Sequence, residues 1–301
     1  MSKAVNYLKG LFKGNHLVIG IPYAWFALLV AVPLLIVFKI SLSEMQQTSV
    51  SNLIDWSDGW PTLKLNFSNY LFIGSDALYI KTYISSVKFA LITTLLCLAV
   101  GYPFAYFMAR SPKHLQPMLL MLIMLPFWTS FLLRIYAWKT LLVNNGVINN
   151  MLMSLGIIDT PIAMMNNSFS LLIGMVYSYL PFMILPLYAN LSKMDLRYLE
   201  AAADLGTSPF KAFWLITVPL SKAGIIAGSM LVFIPAVGEF VIPELLGGPS
   251  TLMIGRVLWD EFFSNNDWPM ASAVAIVMIL LILVPMAIYN KSQAELNGDK
   301  A

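Results

Sequence analysis

Charge is scarce in this chain. Only 11% of its 301 residues are Asp, Glu, Lys or Arg, against 59% hydrophobic residues, whereas a soluble domain carries about 25% charged residues. That is too little charge to cover a globule in water, so the expected solvent is lipid. Cysteine is nearly absent as well. Cys97 stands alone in an apolar run, builds neither a disulfide framework nor a metal site, and reads as a small core residue. His16 and His114 are isolated beside apolar runs and make no metal constellation. There is no Gly-x-x-x-x-Gly-Lys-[Ser/Thr] loop, so nothing here cradles the phosphates of ATP. No nucleophile–base pair suggests an enzyme. The short alternating segments of a transmembrane barrel are missing, as are repeats and low-complexity tracts.

What the chain does have is long apolar runs. A bilayer core about 30 Å thick takes about 20 apolar residues per helical span. The stretches 17–38, 89–109, 115–133, 168–191 and 268–290 are free of charge. A sixth runs uncharged from Ala223 to Gly238 and is then interrupted by Glu239 and Glu244. The pattern predicts an all-α membrane protein of six transmembrane helices, with an unusual fifth. The first run exceeds a secretory h-region and is followed by Lys39 rather than by a cleavage site, so it reads as a retained anchor. The expected organisation is a cytoplasmic N-terminus and first helix (1–40), a periplasmic loop (41–81), a core (82–288) containing a cytoplasmic loop (193–219), and a cytoplasmic tail (289–301). In the outer loop, Trp56, Trp60 and residues 66–70 suggest a segment lying on the membrane.

Six spans place both termini on one side. Lys3, Lys9, Lys13, Lys113, Lys193 and Lys211 belong to that side, and the excess of basic residues there assigns it to the cytoplasm. Most acids run the other way: Glu44, Asp55, Asp58, Asp76, Asp159, Glu239, Glu244, Asp260, Glu261 and Asp267 fall outside or in the outer half of the membrane, against Asp195, Glu200, Asp204, Glu295 and Asp299 inside. Two readings of this acidic entrance stay open. It focuses a cationic solute, or it follows from the exclusion of bases from outer loops.

The loop between the fourth and fifth spans reads as two short helices. Asp195 is placed to N-cap the first, which runs to Leu205, and Gly206 stands where a C′ residue of positive φ is wanted. Ser208 caps a second helix that has Pro209 at its first position. Leu196, Leu199 and Ala203 form one apolar face of the first helix. A rigid hairpin projecting from a bundle suits docking into a partner's groove.

Here the sequence resembles a known family. Glu200-Ala201-Ala202, three residues, Gly206, nine residues, Ile216 and Pro219 are similar to the EAA loop of ABC-importer permeases. The family pattern ends Ile-x-Leu-Pro, where this chain has Ile216-Thr217-Val218-Pro219. The resemblance implies a type I importer permease fold, with an N-terminal anchor helix and a five-helix core. It assigns ATPase coupling to Glu200, Ala201, Ala202 and Gly206. It also implies that ATP and Mg2+ are bound by a partner ATPase and that this chain holds no cofactor.

Three stretches narrow the resemblance to permeases of bacterial putrescine/spermidine importers: 125–138, 144–150 with 155–159, and 233–248. This narrower resemblance implies a bacterial inner-membrane protein without nucleic acid among its partners. Those partners are a second, different permease, two copies of the ATPase, a periplasmic polyamine-binding protein and the lipid bilayer. Residue chemistry points the same way. Glu239 lies about 24 Å along a helix from Ala223 at 1.5 Å per residue, and Pro235, Gly238 and Pro243 around it break that helix. A diamine needs separated carboxylates and aromatic faces. Glu239, Glu244 and Asp260 supply the former, and Trp128, Tyr136 and Tyr177 the latter. For each aromatic the interfacial belt is the other reading. For Glu239 it is a structural ion pair with Arg134 or Arg256. Two further functional readings remain: another small organic cation or ion as cargo, and a gradient-driven secondary transporter.

Overall fold

The computed structural model describes residues 14–46, 49–52, 54–55 and 62–296. The chain divides into two compact units, Met1–Ser75 with Glu261–Val277, and Asp76–Asp260 with Met278–Ala301.

The first unit begins with the apolar span Val18–Ser41, interrupted by a π turn at Ala27–Ala31 and with none of its most apolar window buried. Its end is tied locally. Ser41 Oγ and Tyr70 OH are hydrogen-bonded at 2.7 Å, and Asn66 Nδ2 donates to Glu44 Oε1 at 2.9 Å. Asn66 Oδ1 accepts the Ser68 N–H at 2.7 Å, at the start of the helix Ser68–Ser75. Two-residue strands pair antiparallel as Met45–Gln46 with Ser49–Val50 and as Ile54–Asp55 with Thr62–Leu63. Residues 66–70 thus lead into a helix. Trp56 and Trp60 lie outside the described residues.

The second unit holds the main core. Asp76 Oδ1 accepts the Leu78 N–H at 2.7 Å and opens a 34-residue helix, Ala77–Arg110, which starts before the expected core boundary. The helix Ser168–Leu191 begins with a capping box in which the Asn167 side chain accepts from Phe169 and Ser170. These two helices and Lys222–Val237 pack against one another over Met175, Met183, Leu187, Val232 and Ala236, all fully buried. In lipid the apolar effect does not drive helices together, so close packing of small residues must. A Cβ on Gly224 would lie 2.8 Å from Asn190 Cβ, and one on Gly228 2.8 Å from Met183 Sδ. Gly224 and Gly228, four residues apart on one face, therefore let this helix sit close against the fourth span. Cys97 is buried there, its Sγ 3.7 Å from the carbonyl of Val176.

The third span departs from expectation. The run 115–133 is not one helix: Gln116–Trp128 and Phe131–Ser154 are bent by 86°. The first piece ends in a 3-10 turn, Leu125–Trp128, and Thr129 is extended. Pro126 has no N–H with which to continue the α-helix, yet Leu125 stays helical, and the chain turns at Thr129 and Ser130, which both leave the helical region. The loop 144–150 is also partly helical, Val147–Ser154, and is held by fully buried Asn149. That side chain donates to the Ile162 carbonyl at 3.0 Å and accepts the Ile162 N–H at 2.9 Å. Among the described residues, four helices are long and apolar enough to cross a membrane. The number reaches six when each bent pair counts as one span.

Candidate coupling and translocation sites

The loop after Leu191 forms the expected hairpin, with corrections at both caps. The helix is Arg197–Asp204, with Leu196 rather than Asp195 at the N-cap position and Leu205 at the C-cap. Asp195 Oδ1 accepts the Arg197 N–H at 3.0 Å while Arg197 Nε donates to Asp195 Oδ2 at 2.8 Å. The guanidinium first, and the backbone N–H second, hold the Asp195 carboxyl below its ordinary range. Gly206 has φ +77°. Its N–H reaches Ala203 O at 2.8 Å and the Thr207 N–H reaches Ala202 O at 2.9 Å, the two bonds of a Schellman termination. The second helix is short, Pro209–Ala212, and the Ser208 side chain makes no capping bond. Its backbone carbonyl instead receives the Ala212 N–H at 2.9 Å.

The apolar face is also redistributed. Ala202 turns inward, whereas Ala203 is exposed and Leu196 largely so. Glu200 and Ala201 are exposed on the same helix. Beside them Leu205, Phe210, Trp214 and Leu215 stand out with 55–86% of their surface free. Sequence reasoning missed this rim. The available signal was the unusual density of large apolar residues in a loop otherwise rich in charge. Behind the rim a π turn, Phe213–Thr217, sets the ring of Phe213 edge-on to Tyr102 at 5.5 Å and to Tyr106 at 5.9 Å. The hairpin is therefore fastened to the second-span helix through a partly buried aromatic contact.

At the other end of the fifth span the break falls at Gly238, while Pro235 stays inside the helix before it and Pro243 inside the helix after it. The helix Lys222–Val237 stops, and a six-residue helix, Val241–Leu246, follows Phe240. Glu239 lies in the gap, half-buried. Its Oε1 accepts the N–H groups of Val241 at 3.1 Å and Ile242 at 3.4 Å, and its Oε2 accepts from the Tyr179 hydroxyl. Its expected neutralising partners are engaged elsewhere. Arg134 lies over the rings of Phe127 and Phe131, 5.0 and 5.7 Å from their centres.

Arg256 faces two other acids. Its Nε is 2.6 Å from Glu244 Oε2 and 4.0 Å from Asp260 Oδ2. The close pair is an ion contact without hydrogen-bond alignment, because Nε has no acceptor in line with its N–H. Beside this triad Phe240 and Trp259 stack at 4.5 Å with planes 10° apart. Glu244 and Asp260 thus come together around one cation, while Glu239 has separate partners.

The remaining aromatics divide. Tyr177 meets Trp138 edge-on at 5.5 Å, and both line a cleft of about 470 Å³ together with Arg134 and Thr129. Tyr136 is half-exposed with Lys139 Nζ 5.9 Å from its ring centre, and Trp128 is 82% exposed.

Residues 101–296 match the family described as the binding-protein-dependent transport system inner membrane component. The chain belongs to that family. It is a multi-pass permease with the type I fold. The spermidine/putrescine transport system permease protein PotB of Salmonella typhimurium (strain SL1344) is 38% identical over 290 residues, 96% of this chain and 97% of the relative. Its counterpart of the same name in Escherichia coli K12 is 39% identical over 273 residues, 91% and 95% of the two chains. Among solved structures, a bacterial alginate ABC transporter in complex with a pentasaccharide-bound periplasmic protein superposes with a TM-score of 0.68. It is 14% identical and covers 98% of both chains. The MetNI methionine ABC transporter in inward-facing form gives 0.54 at 10% identity, over 70% of this permease and 93% of that chain. These structural similarities concern the fold alone.

Proposed function

We propose that this permease carries polyamines, putrescine or spermidine or both, from a periplasmic binding protein into the cytoplasm by ATP-driven alternating access. The observation that carries the reading is the 38% identity to a spermidine/putrescine permease, sustained over 96% of the chain. The expected assembly contains a second, different permease and two copies of an ATPase that binds ATP and Mg2+. Both termini face the cytoplasm, as the basic bias of their side supports.

The hairpin Arg197–Asp204 with Gly206 is the surface for the ATPase. Glu200 and Ala201 are exposed on it, Gly206 terminates it, and the inward Ala202 seats it against the rest of the chain. A group of large exposed apolar side chains bordered by charged residues marks a surface for a partner protein. At the far end of the bundle, Glu244 and Asp260 provide paired carboxylates beside a stacked aromatic pair, and Arg256 holds their place. A diammonium cargo carries charge of the same sign as Arg256 and competes with it for these acids. The cleft containing Tyr177 and the exposed rings of Tyr136 and Trp128 line the approach.

The test is uptake of radiolabelled putrescine by cells expressing the whole transporter, competed with spermidine, basic amino acids and other small organic cations. Inhibition by spermidine alone supports the reading. Saturable uptake of another cation with no effect of either polyamine replaces the cargo while leaving the permease assignment intact.

A further inference from the structure

An intramembrane acid near a helix break invites the interpretation that its charge meets the cargo. The surroundings of Glu239 point elsewhere. A carboxylate buried without partners is costly, but this one has three donors, two backbone N–H groups and one phenol. Both oxygens are used within the chain.

The three bonds belong to a larger arrangement along one face of the fourth span. The short helix Val241–Leu246 is held at both ends by that span. At its start, the Tyr179 hydroxyl donates to Glu239, which in turn caps Val241 and Ile242. At its end, Ser170 Oγ donates to the Leu246 carbonyl at 2.7 Å, supplying a bond that the helix cannot make internally. Between them Gly174 leaves the space that Ile242 and Leu246 fill; a Cβ there would lie 2.9 Å from Ile242 Cγ2 and 2.5 Å from Leu246 Cδ1. Ile242 and Leu246 are fully buried. A further constraint comes from the helix Ile254–Trp259, where a Cβ on Gly255 would meet the Glu239 carbonyl at 2.7 Å. Its first N–H is fixed by Ser86 Oγ at 2.7 Å.

We propose that Glu239 and Tyr179 are positioning residues: they lock the short helix Val241–Leu246 onto the fourth span and so set where Glu244 stands relative to Arg256, without themselves contacting cargo. The break in the fifth span is then a rigid insert rather than a loose hinge. Glu239 acts through its hydrogen-bonding shape, and its negative charge is dispensable. This rests on the proposed cargo pathway only for the role given to Glu244.

Chemistry separates positioning from charge recognition. Glutamine keeps an acceptor oxygen for Val241 and Ile242 and offers its amide to the Tyr179 oxygen, while alanine loses both. In the complete transporter, Glu239→Gln should leave KM for putrescine within about twofold of wild type, because the geometry survives. Glu239→Ala and Tyr179→Phe should each lower coupled uptake by about three- to tenfold, the size of one or two lost buried hydrogen bonds. A rise in KM of tenfold or more in Glu239→Gln, at unchanged amounts of assembled complex, overturns the proposal, since it shows the charge meeting cargo. Full activity of Glu239→Ala overturns it too.

A cargo-independent measurement keeps the two proposals distinguishable. Leu245 is half-buried on the short helix, and the only native cysteine, Cys97, is buried. In the assembled transporter, Leu245→Cys is labelled with a maleimide with and without the second substitution. Glu239→Ala and Tyr179→Phe should speed labelling by about tenfold and Glu239→Gln should not. Equal rates in all backgrounds refute the lock even where polyamine transport is confirmed. The expected pattern of rates upholds it even where the cargo is another solute.

Discussion

Thr207 donates its N–H to the carbonyl of Ala202 at 2.9 Å, closing the chain over Gly206. That bond requires the left-handed backbone of Gly206, φ +77°, and nothing lies within 4 Å of a Cβ built there. A substitution is therefore penalised by the backbone alone, by about 1–2 kcal/mol for a β-branched residue. Gly206→Val should reduce co-purification of the ATPase and coupled uptake, while Gly206→Asn, tolerated in this conformation, should come close to wild type. Equal loss in both variants shows that contact with a partner, not backbone conformation, decides.

Gly174 offers the opposite case. Here φ is ordinary, and space is what matters, because Leu246 and Ile242 occupy the volume of a side chain. Gly174→Val should destabilise the core by about 1–3 kcal/mol through overpacking. Gly20→Val, at a site with nothing within 4 Å, is the control. Thermal unfolding midpoints of the detergent-purified transporter check the contrast, and equal midpoints for the two variants contradict it.

The contrast between these glycines also indicates what the sequence could convey. Gly206 was legible, because a helix with an N-cap before it and Ser208-Pro209 after it leaves few conformations for the residue between. Apolar run length gave the spans, and the proline–glycine cluster around Glu239 gave the break. The partners of Glu239 were not legible. Tyr179 lies 60 residues away in the chain, and no local rule selects it over Arg134 or Arg256. The same holds for Ser170 and Leu246, 76 residues apart. Pro126 was visible in the run 115–133, yet hydropathy does not register direction, so the 86° bend went unread. Composition names the solvent of a segment. Long-range hydrogen bonds decide what its polar residues do there.

Asp195 leads to a prediction about pH. Its carboxyl is held below the ordinary range by the Arg197 guanidinium and then by the Arg197 N–H. A depressed carboxylate stabilises the folded hairpin at every pH above its unfolded value, about 3.9. That contribution fades only as pH falls through the lower folded value. Between about pH 6 and 8 it is constant. Asp195→Asn should therefore shift the level of ATPase coupling without changing the shape of its pH profile in that window. A profile that changes slope there assigns the titration to Asp195 after all.

The acids around Arg256 should respond in a fixed order. Glu244 is 2.6 Å from the guanidinium and Asp260 is 4.0 Å away. All three side chains are between about one-third and one-half exposed, so solvent screens the pairs and their worth to stability is small. Cargo affinity is the more sensitive readout. If a polyamine displaces Arg256 from these acids, Glu244→Gln removes the nearer site and should raise KM more than Asp260→Asn does. Arg256→Gln removes the resident competitor and should lower KM below wild type. The three variants should assemble alike, because the buried contacts of Ile242, Leu246, Ile254 and Val257 are untouched. KM for putrescine in proteoliposomes containing the whole transporter measures the order. A higher KM in Arg256→Gln refutes the competition, for it shows the guanidinium supporting the acids rather than occupying the place of the cargo.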